Sequence, residues 1–303
     1  MLLSLQKNCS QLHVHVLCLD KETQNILSNI NLSFVTLISL AEIEDEKLLE
    51  AKRSRGIAEY CWTLSPCLPW FVLQINSKID FITYLDADLF FYSSVHPLFD
   101  EIGLASIAII EHRFSPEFKE REINGKFCVE WVSFRRNEEG MACLERWREQ
   151  CIEWCYYRLE DGKMGDQKYL DQWPERYSSC HILQHLGAGV APWNFSQYQF
   201  NTRNELITVG NQLLIFYHFH QFQILSKKKF DRLSSFYTKN AKEPEKVYQK
   251  YEENIAEVFD LIRSIDSEFE NGIKNQYILR IRRFFQRFVP SKLKNFIRNF
   301  WRY

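Results

Sequence analysis

The sequence has no run of 18 or more apolar residues, so no helix of it is expected to span a bilayer. Glycine and proline are scarce, 10 and 8 in 303 residues. That excludes collagen-like and low-complexity chains, and no internal period marks a repeat protein. No basic segment, apolar stretch and cleavage site in series mark a secretory signal. The nine cysteines include no C-x-x-C pair. Their odd number and their places in apolar periodic segments fit buried, reduced thiols of a cytosolic protein. Cys151 and Cys155 stand four apart without the nearby second pair a zinc site needs. Acidic residues are missing altogether between Tyr277 and Tyr303, where eight basic ones occur, while the remainder carries 30 basic and 39 acidic side chains.

What is present is ample apolar material, 46% hydrophobic and 15% aromatic, enough for one large core or two modest domains. The informative stretch is Asp80-Phe-Ile-Thr-Tyr-Leu-Asp-Ala-Asp88, followed by Leu89-Phe90-Phe91. Its short apolar run, Phe81 to Leu85, reads as a buried strand of an α/β sheet. Ligands of such sheets collect beyond the carboxyl ends of the strands. Two carboxylates there can hold a hard divalent cation while substrate phosphates fill its other positions. Asp86 and Asp88 are therefore a candidate D-x-D metal and diphosphate site, although the same triplet also occurs as a turn or a helix cap.

Strand signals recur at Leu12–Asp20, Leu32–Ile38, Ser106–Ile110, Phe127–Phe134, His181–Leu186 and Leu213–Phe219. Helical periodicity separates them. Ser39 with Glu42 forms a capping box that opens one helix. Gly56 to about Leu73 forms another, with Pro66 and Pro69 expected to interrupt it. Gly140–Tyr157 carries Leu144, Trp147, Cys151, Trp154 and Cys155 on one side. This alternation predicts an α/β mixed sheet flanked by helices, and a charged helical extension follows at about Ala241–Asn271.

Tyr84-Leu-Asp-Ala-Asp88 with Phe90-Phe91, Gly165-Asp-Gln-Lys-Tyr-Leu-Asp171, Ala191-Pro-Trp-Asn194 and Phe216-Tyr-His-Phe-His220 occur in this order. Over residues 1–225 the set resembles bacterial nucleotide-sugar glycosyltransferases of the GT-A fold, related to the family-8 type. The resemblance implies a Rossmann-related GT-A-like sheet in which Asp86 and Asp88 bind Mn²⁺ or Mg²⁺ together with the nucleotide diphosphate. It implies a third metal ligand at His218, with His220 in reserve, although Gln221 stands where the related motif has glycine. The other reading of this segment is an aromatic strand end with core histidines. Asp166 and Gln167 match positions facing the donor sugar or acceptor; Asp166 also suits a helix N-cap. Arg53 and Arg55 lie where similar enzymes bring a cation to the donor, and bidentate arginine suits phosphate; they also suit a solvated helix face. Gly187, Gly189, Trp193 and Asn194 are expected to shape a loop near the donor, with a core role open for Trp193.

Two departures accompany the resemblance. Met1-Leu-Leu-Ser-Leu5 resembles the end of the family's first helix, so the preceding strand is expected to be missing. Cys128 and Glu130 stand where similar enzymes often carry Asn and Gly near the donor sugar.

The organisation expected is a glycosyltransferase domain at 1–225, a helical extension at 226–276 and a basic amphipathic tail at 277–303. The tail interleaves aromatics with its cations, as in segments lying on an anionic membrane surface; a docking helix or a nucleic-acid patch are the alternatives. The expected function is transfer of a sugar from a nucleotide-sugar donor, UDP-linked, to a cell-surface glycan or lipid-linked acceptor. Its place would be the cytoplasm, peripherally on the inner face of the plasma membrane, with no nucleic-acid partner. Competing classes are a non-catalytic relative serving as an interaction module and a sugar nucleotidyltransferase. The latter commonly opens with a Gly-rich phosphate loop, which this sequence lacks.

Overall fold

A computed structural model describes residues 1–233, 237 and 242–274. The chain divides into two units, Met1–Phe219 and His220–Tyr303.

In the first unit, α1 (Leu2–Asn8) precedes β1 (Val14–Cys18), α2 (Lys21–Ile30) and β2 (Val35–Ser39). The β1 and β2 strands pair in parallel as a two-stranded sheet. The Ser39–Glu42 capping box forms as its sequence predicts, but α3 (Leu40–Ile43) is one turn. A new helix, α4 (Glu46–Ser54), then starts at Asp45, whose carboxylate accepts from Leu48 N–H at 2.9 Å.

Next comes α5 (Ile57–Ile75), which runs unbroken through Pro66 and Pro69. The expected interruption does not occur. Each proline removes an intrahelical hydrogen bond at a cost of about 3 kcal/mol. Here both prolines are themselves buried along with Leu64, Cys67, Val72 and Leu73, and that apolar burial offsets the loss.

The chain continues through β3 (Phe81–Leu85), β4 (Leu89–Phe91), α6 (His96–Ile102), β5 (Ile107–Glu111), β6 (Phe127–Arg135), α7 (Glu138–Glu153), α8 (Trp173–Arg176) and β7 (Cys180–Leu183). The β3, β6, β5 and β7 strands form, in that order, a mixed four-stranded sheet, parallel only between β5 and β7. Thus the fold is a mixed α/β sheet flanked by helices, as the strand-helix alternation predicts. The expectation of a buried strand at Phe81–Leu85 needs correction: all five residues are half-buried, because β3 is an edge of this sheet. Within this sheet β5 is buried except at Glu111 and β6 except at Arg135.

One core cluster joins Ile107, Ile109, Val132 and Phe134 of the sheet to Leu144, Trp147 and Cys151 of α7. Entry into α7 depends on Gly140, where an added Cβ would lie 2.2 Å from the Arg135 carbonyl oxygen. All nine cysteines are free thiols, seven of them buried.

The remaining strands of the unit are short: β8 (Phe200–Arg203), β9 (Leu206–Val209), β10 (Gln212–Leu213) and β11 (Phe216–His218). The single strand expected at Leu213–Phe219 is thus two. The first closes a three-stranded sheet with β8 and β9, and β11 pairs antiparallel with β4.

The second unit holds a hairpin of β12 (Gln223–Ser226) and β13 (Lys229–Asp231), which sequence patterning did not single out, and the 21-residue helix α9 (Glu245–Ile265). Within that unit Phe222 packs on Phe230, Tyr248 and Tyr251. The basic aromatic tail at 277–303 lies outside the described residues. No helix among the described residues is long and apolar enough to cross a membrane.

Candidate metal centre

Three strand ends assemble the centre. Asp86 directly follows β3, and its N–H donates to Glu130 O at 3.3 Å, one step beyond the β3–β6 ladder. Asp88 directly precedes β4, whose Leu89 stands opposite His218 of β11. Phe219 N–H donates to Asp88 O at 2.9 Å, and His218 N–H donates to Val190 O at 2.9 Å. The two aspartates and the histidine are thereby fixed by backbone pairing before their side chains interact.

The His218 imidazole sits between two sets of carboxylates. Its Nε2 is 3.0 Å from Asp88 Oδ1 and 3.8 Å from Asp86 Oδ2. Its Nδ1 is 2.6 Å from Glu130 Oε2. The side-chain exposures are 44% for Asp88, 30% for Asp86, 5% for His218 and 0% for Glu130. The cluster therefore opens to solvent on its aspartate side and is dry behind the ring.

Glu130 reaches this position through an irregularity in β6. The β5–β6 register jumps from Ile109 opposite Val132 to Ile110 opposite Cys128, a bulge of the kind that re-aims side chains beside functional sites. Glu130 and Cys128 both end within reach of His218.

Electrostatics bear the mark of crowded negative charge. Burial pushes the Asp86 carboxyl up to about 6; His218 opposes that shift, and Asp88 and Glu130 add to it. For His218, burial on its own lowers the pKa. The charge of Asp88 and contacts with Asp88, Cys128 and Glu130 outweigh burial and hold it well above the ordinary histidine range. Such a set holds protons where a divalent cation would displace them. One ligand atom each from Asp86, Asp88 and His218 lies within 4.8 Å of the others. Two carboxylate oxygens and one imidazole nitrogen fit manganese; with the nitrogen they suit magnesium less.

A hydrogen-bonded support stands beside Asp86. Tyr84 Oη donates to Asp86 Oδ1 at 3.1 Å, and Ser65 Oγ of α5 donates to Tyr84 Oη at 3.3 Å. Asp166 is 5% exposed. Its carboxyl is pushed up to about 7, by burial first and then by the charge of Asp86, with a Ser65 contact opposing. Its carbonyl accepts from Trp147 Nε1–H at 3.0 Å. Gln167, the next residue, donates from Nε2 to Asn124 O at 2.9 Å.

The loop behind the ring uses the other expected residues. Trp193 meets the His218 ring edge-on at 5.1 Å between centroids and donates from Nε1 to His112 O at 2.9 Å. Asn194 is fully buried and donates to His112 O and Gly189 O, both at 2.8 Å, while accepting from Ala191 N–H at 2.9 Å. A Cβ on Gly187 would lie 1.8 Å from Leu213 O, so that glycine serves close backbone packing.

The two arginines sit elsewhere. Arg53 is exposed near the end of α4. Arg55 turns inward, donating to Cys151 O at 2.7 Å and Ile152 O at 2.5 Å and to the Thr63 hydroxyl. These are orphan carbonyls at the C-terminus of α7, where a cation is favoured.

Sequence reasoning noted Glu130 only as a departure at a position near the donor sugar, and gave no role to Tyr84 or Ser65. For Glu130 the signal was available, as an acidic residue inside an otherwise apolar strand.

No protein-family model matches the chain. The chain is similar to the uncharacterized protein YfnD of Bacillus subtilis strain 168, at 31% identity over 275 residues, 90% of this chain and 88% of the relative. It is likewise similar to the uncharacterized protein YfnF of the same strain, at 29% over 271 residues, 87% and 88%. Among solved structures, mouse xyloside xylosyltransferase 1 in its apo form aligns over 73% of this chain and 90% of its own, at 18% identity and a TM-score of 0.43. The galactosyltransferase LgtC in complex with donor and acceptor sugar analogues aligns over 85% of this chain and 89% of its own, at 13% identity and a TM-score of 0.47.

Proposed function

The chain belongs to the same family as Bacillus subtilis YfnD, and we propose that it is a metal-dependent glycosyltransferase of GT-A-like fold. Its donor is a nucleotide sugar, UDP-linked, and its acceptor a cell-surface glycan or a lipid-linked sugar. One observation carries this reading: the convergence of Asp86, Asp88 and His218 Nε2 on a single point at the end of an edge strand.

Asp86, Asp88 and His218 hold the ion, Mn²⁺ in preference to Mg²⁺. When bound, it supplies Lewis-acid stabilisation of the negative charge on a departing diphosphate. The exposed flank of Asp88 leaves room for the diphosphate to approach. Tyr84 fixes the Asp86 carboxylate through its hydroxyl. Asp166, titrating near neutrality, can accept or return a proton at a sugar hydroxyl at working pH, and Gln167 is the next residue along the chain. The segment 277–303 brings the enzyme to an anionic membrane surface, where a lipid-linked acceptor would reside.

The test is a thermal-shift screen of UDP-, GDP- and dTDP-sugars with and without Mn²⁺. A ligand at about 100 times its Kd stabilises the native state by about 2.7 kcal/mol. A shift with a UDP-sugar that requires Mn²⁺, followed by metal-dependent release of UDP, is the expected result. No shift with any nucleotide in a folded sample would overturn the proposal.

A further inference from the structure

Glu130 has no part in the function just proposed, yet it is the carboxylate nearest the imidazole. It has 0% exposure in a strand whose neighbours Val129, Trp131 and Val132 are all buried and apolar. An ionised carboxylate in such a place costs several kcal/mol unless it is paired. Only half of it is paired. Oε2 is 2.6 Å from His218 Nδ1, whereas Oε1 has no hydrogen-bond partner among the described residues. A group so costly to fold around has a use that stability does not supply.

The surroundings restrict the ring rather than the carboxylate alone. Trp193 presses on the imidazole at an interplanar angle of 84°. His218 N–H is fixed to Val190 O, next to Gly189. Gly189 has φ +68°, and a Cβ there would lie 2.6 Å from Ile110 Cδ1 and 3.1 Å from Glu130 Oε1. With the ring plane held, the one remaining freedom that matters is which nitrogen carries the proton. A carboxylate on Nδ1 decides it: Nδ1 keeps its hydrogen, so the one an ion would displace is on Nε2, facing the two aspartates.

We propose that Glu130 is a positioning residue, which fixes the His218 tautomer and orientation that turn Nε2 toward Asp86 and Asp88. This rests on the metal reading of that cluster. The carboxylate behind the ring also raises the basicity of the ligating nitrogen. It therefore biases the centre toward ions that accept imidazole, manganese above magnesium.

The decisive variant is Glu130→Gln, which keeps shape and loses charge. Its amide either accepts weakly from Nδ1–H or donates to Nδ1 and reverses the tautomer. Mn²⁺ affinity, read by electron paramagnetic resonance of the free ion, is expected to fall about 10- to 100-fold. Mg²⁺ affinity should fall less, and Tm should hold or rise because a buried charge has gone. A simple structural ion pair predicts the reverse pattern, with Tm lost and Mn²⁺ affinity unchanged, and that result would overturn the proposal. A second readout needs no metal: the His218 Nδ1 proton, expected far downfield and slow to exchange in the native protein, should shift upfield or vanish in E130Q. If the native protein bound no Mn²⁺, the metal reading would fail. An Nδ1 proton unchanged by E130Q would still overturn the positioning role by itself.

Discussion

The two sides of the His218 ring differ in almost every physical respect. On the Nε2 side, Asp88 and Asp86 are 44% and 30% exposed. They lie in the short connection between β3 and β4, which solvent reaches, with Asp86 the more buried of the two. On the Nδ1 side, Glu130 is fully buried in the middle of a core strand and held by a bulge, where charge is costly and geometry is not adjustable. The imidazole joins a wet, ligand-facing half to a dry, structural half. Binding strength is thus expected to reside on one side and orientation on the other. Variants of the wet side should lose metal with stability unchanged; on the dry side, E130Q should weaken metal binding with Tm held or raised, and loss of the Trp193 hydrogen bond should lower stability more than metal affinity.

The largest effect expected is from Asp88→Asn, which removes an exposed ligand charge. Mn²⁺ affinity should drop by more than about 100-fold, beyond the range typical for supporting residues, with Tm within about 1 °C of the parent in the absence of metal. Equal losses of metal binding and of Tm would break the contrast between the two sides.

Next in size is the pH dependence. The folded carboxyl of Asp86 titrates near 6, above its ordinary value of about 3.9. The native state therefore binds that proton more tightly. The associated stability is complete below about pH 4 and lost as pH rises through 6. Mn²⁺ requires the ionised form, so the Mn²⁺-induced rise in Tm should be absent near pH 5 and grow through pH 7. Asp166, near 7, carries the same sign. Asp166→Asn should thus raise the Tm of the metal-free protein at alkaline pH and leave it unchanged at acid pH. A Tm difference independent of pH would contradict the burial of that carboxyl.

Smaller effects concern the dry side and the scaffold away from the ring. Trp193→Phe deletes the hydrogen bond to His112 O while keeping a ring against His218. It should cost about 1 kcal/mol in urea unfolding and only a few-fold in Mn²⁺ affinity. Arg55→Lys leaves the α7 carbonyls with fewer donors; a stability loss of about 1 kcal/mol with unchanged metal affinity is expected from calorimetry beside a Mn²⁺ titration.

The same division explains what the sequence could tell. Asp86 and Asp88 were legible because strand, turn and both carboxylates fall within nine consecutive residues. The α/β alternation was legible because buried strands such as β5 and amphipathic helices such as α7 carry their period locally. The link between Glu130 and His218 spans 88 residues. It depends on a register jump in β6 and on the β4–β11 pairing, neither of which has a local signature. Pro66 and Pro69 misled for the converse reason. Their local effect is unfavourable to a helix, and only the burial of α5 overrides it. Arg55 was open, on the resemblance, to a donor-phosphate role or to a solvated helix face; its guanidinium is engaged by the carbonyls at the C-terminal end of α7, far along the chain.

The most direct test is a Mn²⁺ titration of the native protein and of Asp88→Asn by electron paramagnetic resonance, with UDP present. One tightly bound ion in the native protein, strengthened by UDP and lost in the variant, is the outcome the account predicts. A folded native protein that leaves all the Mn²⁺ free, with or without UDP, would contradict it.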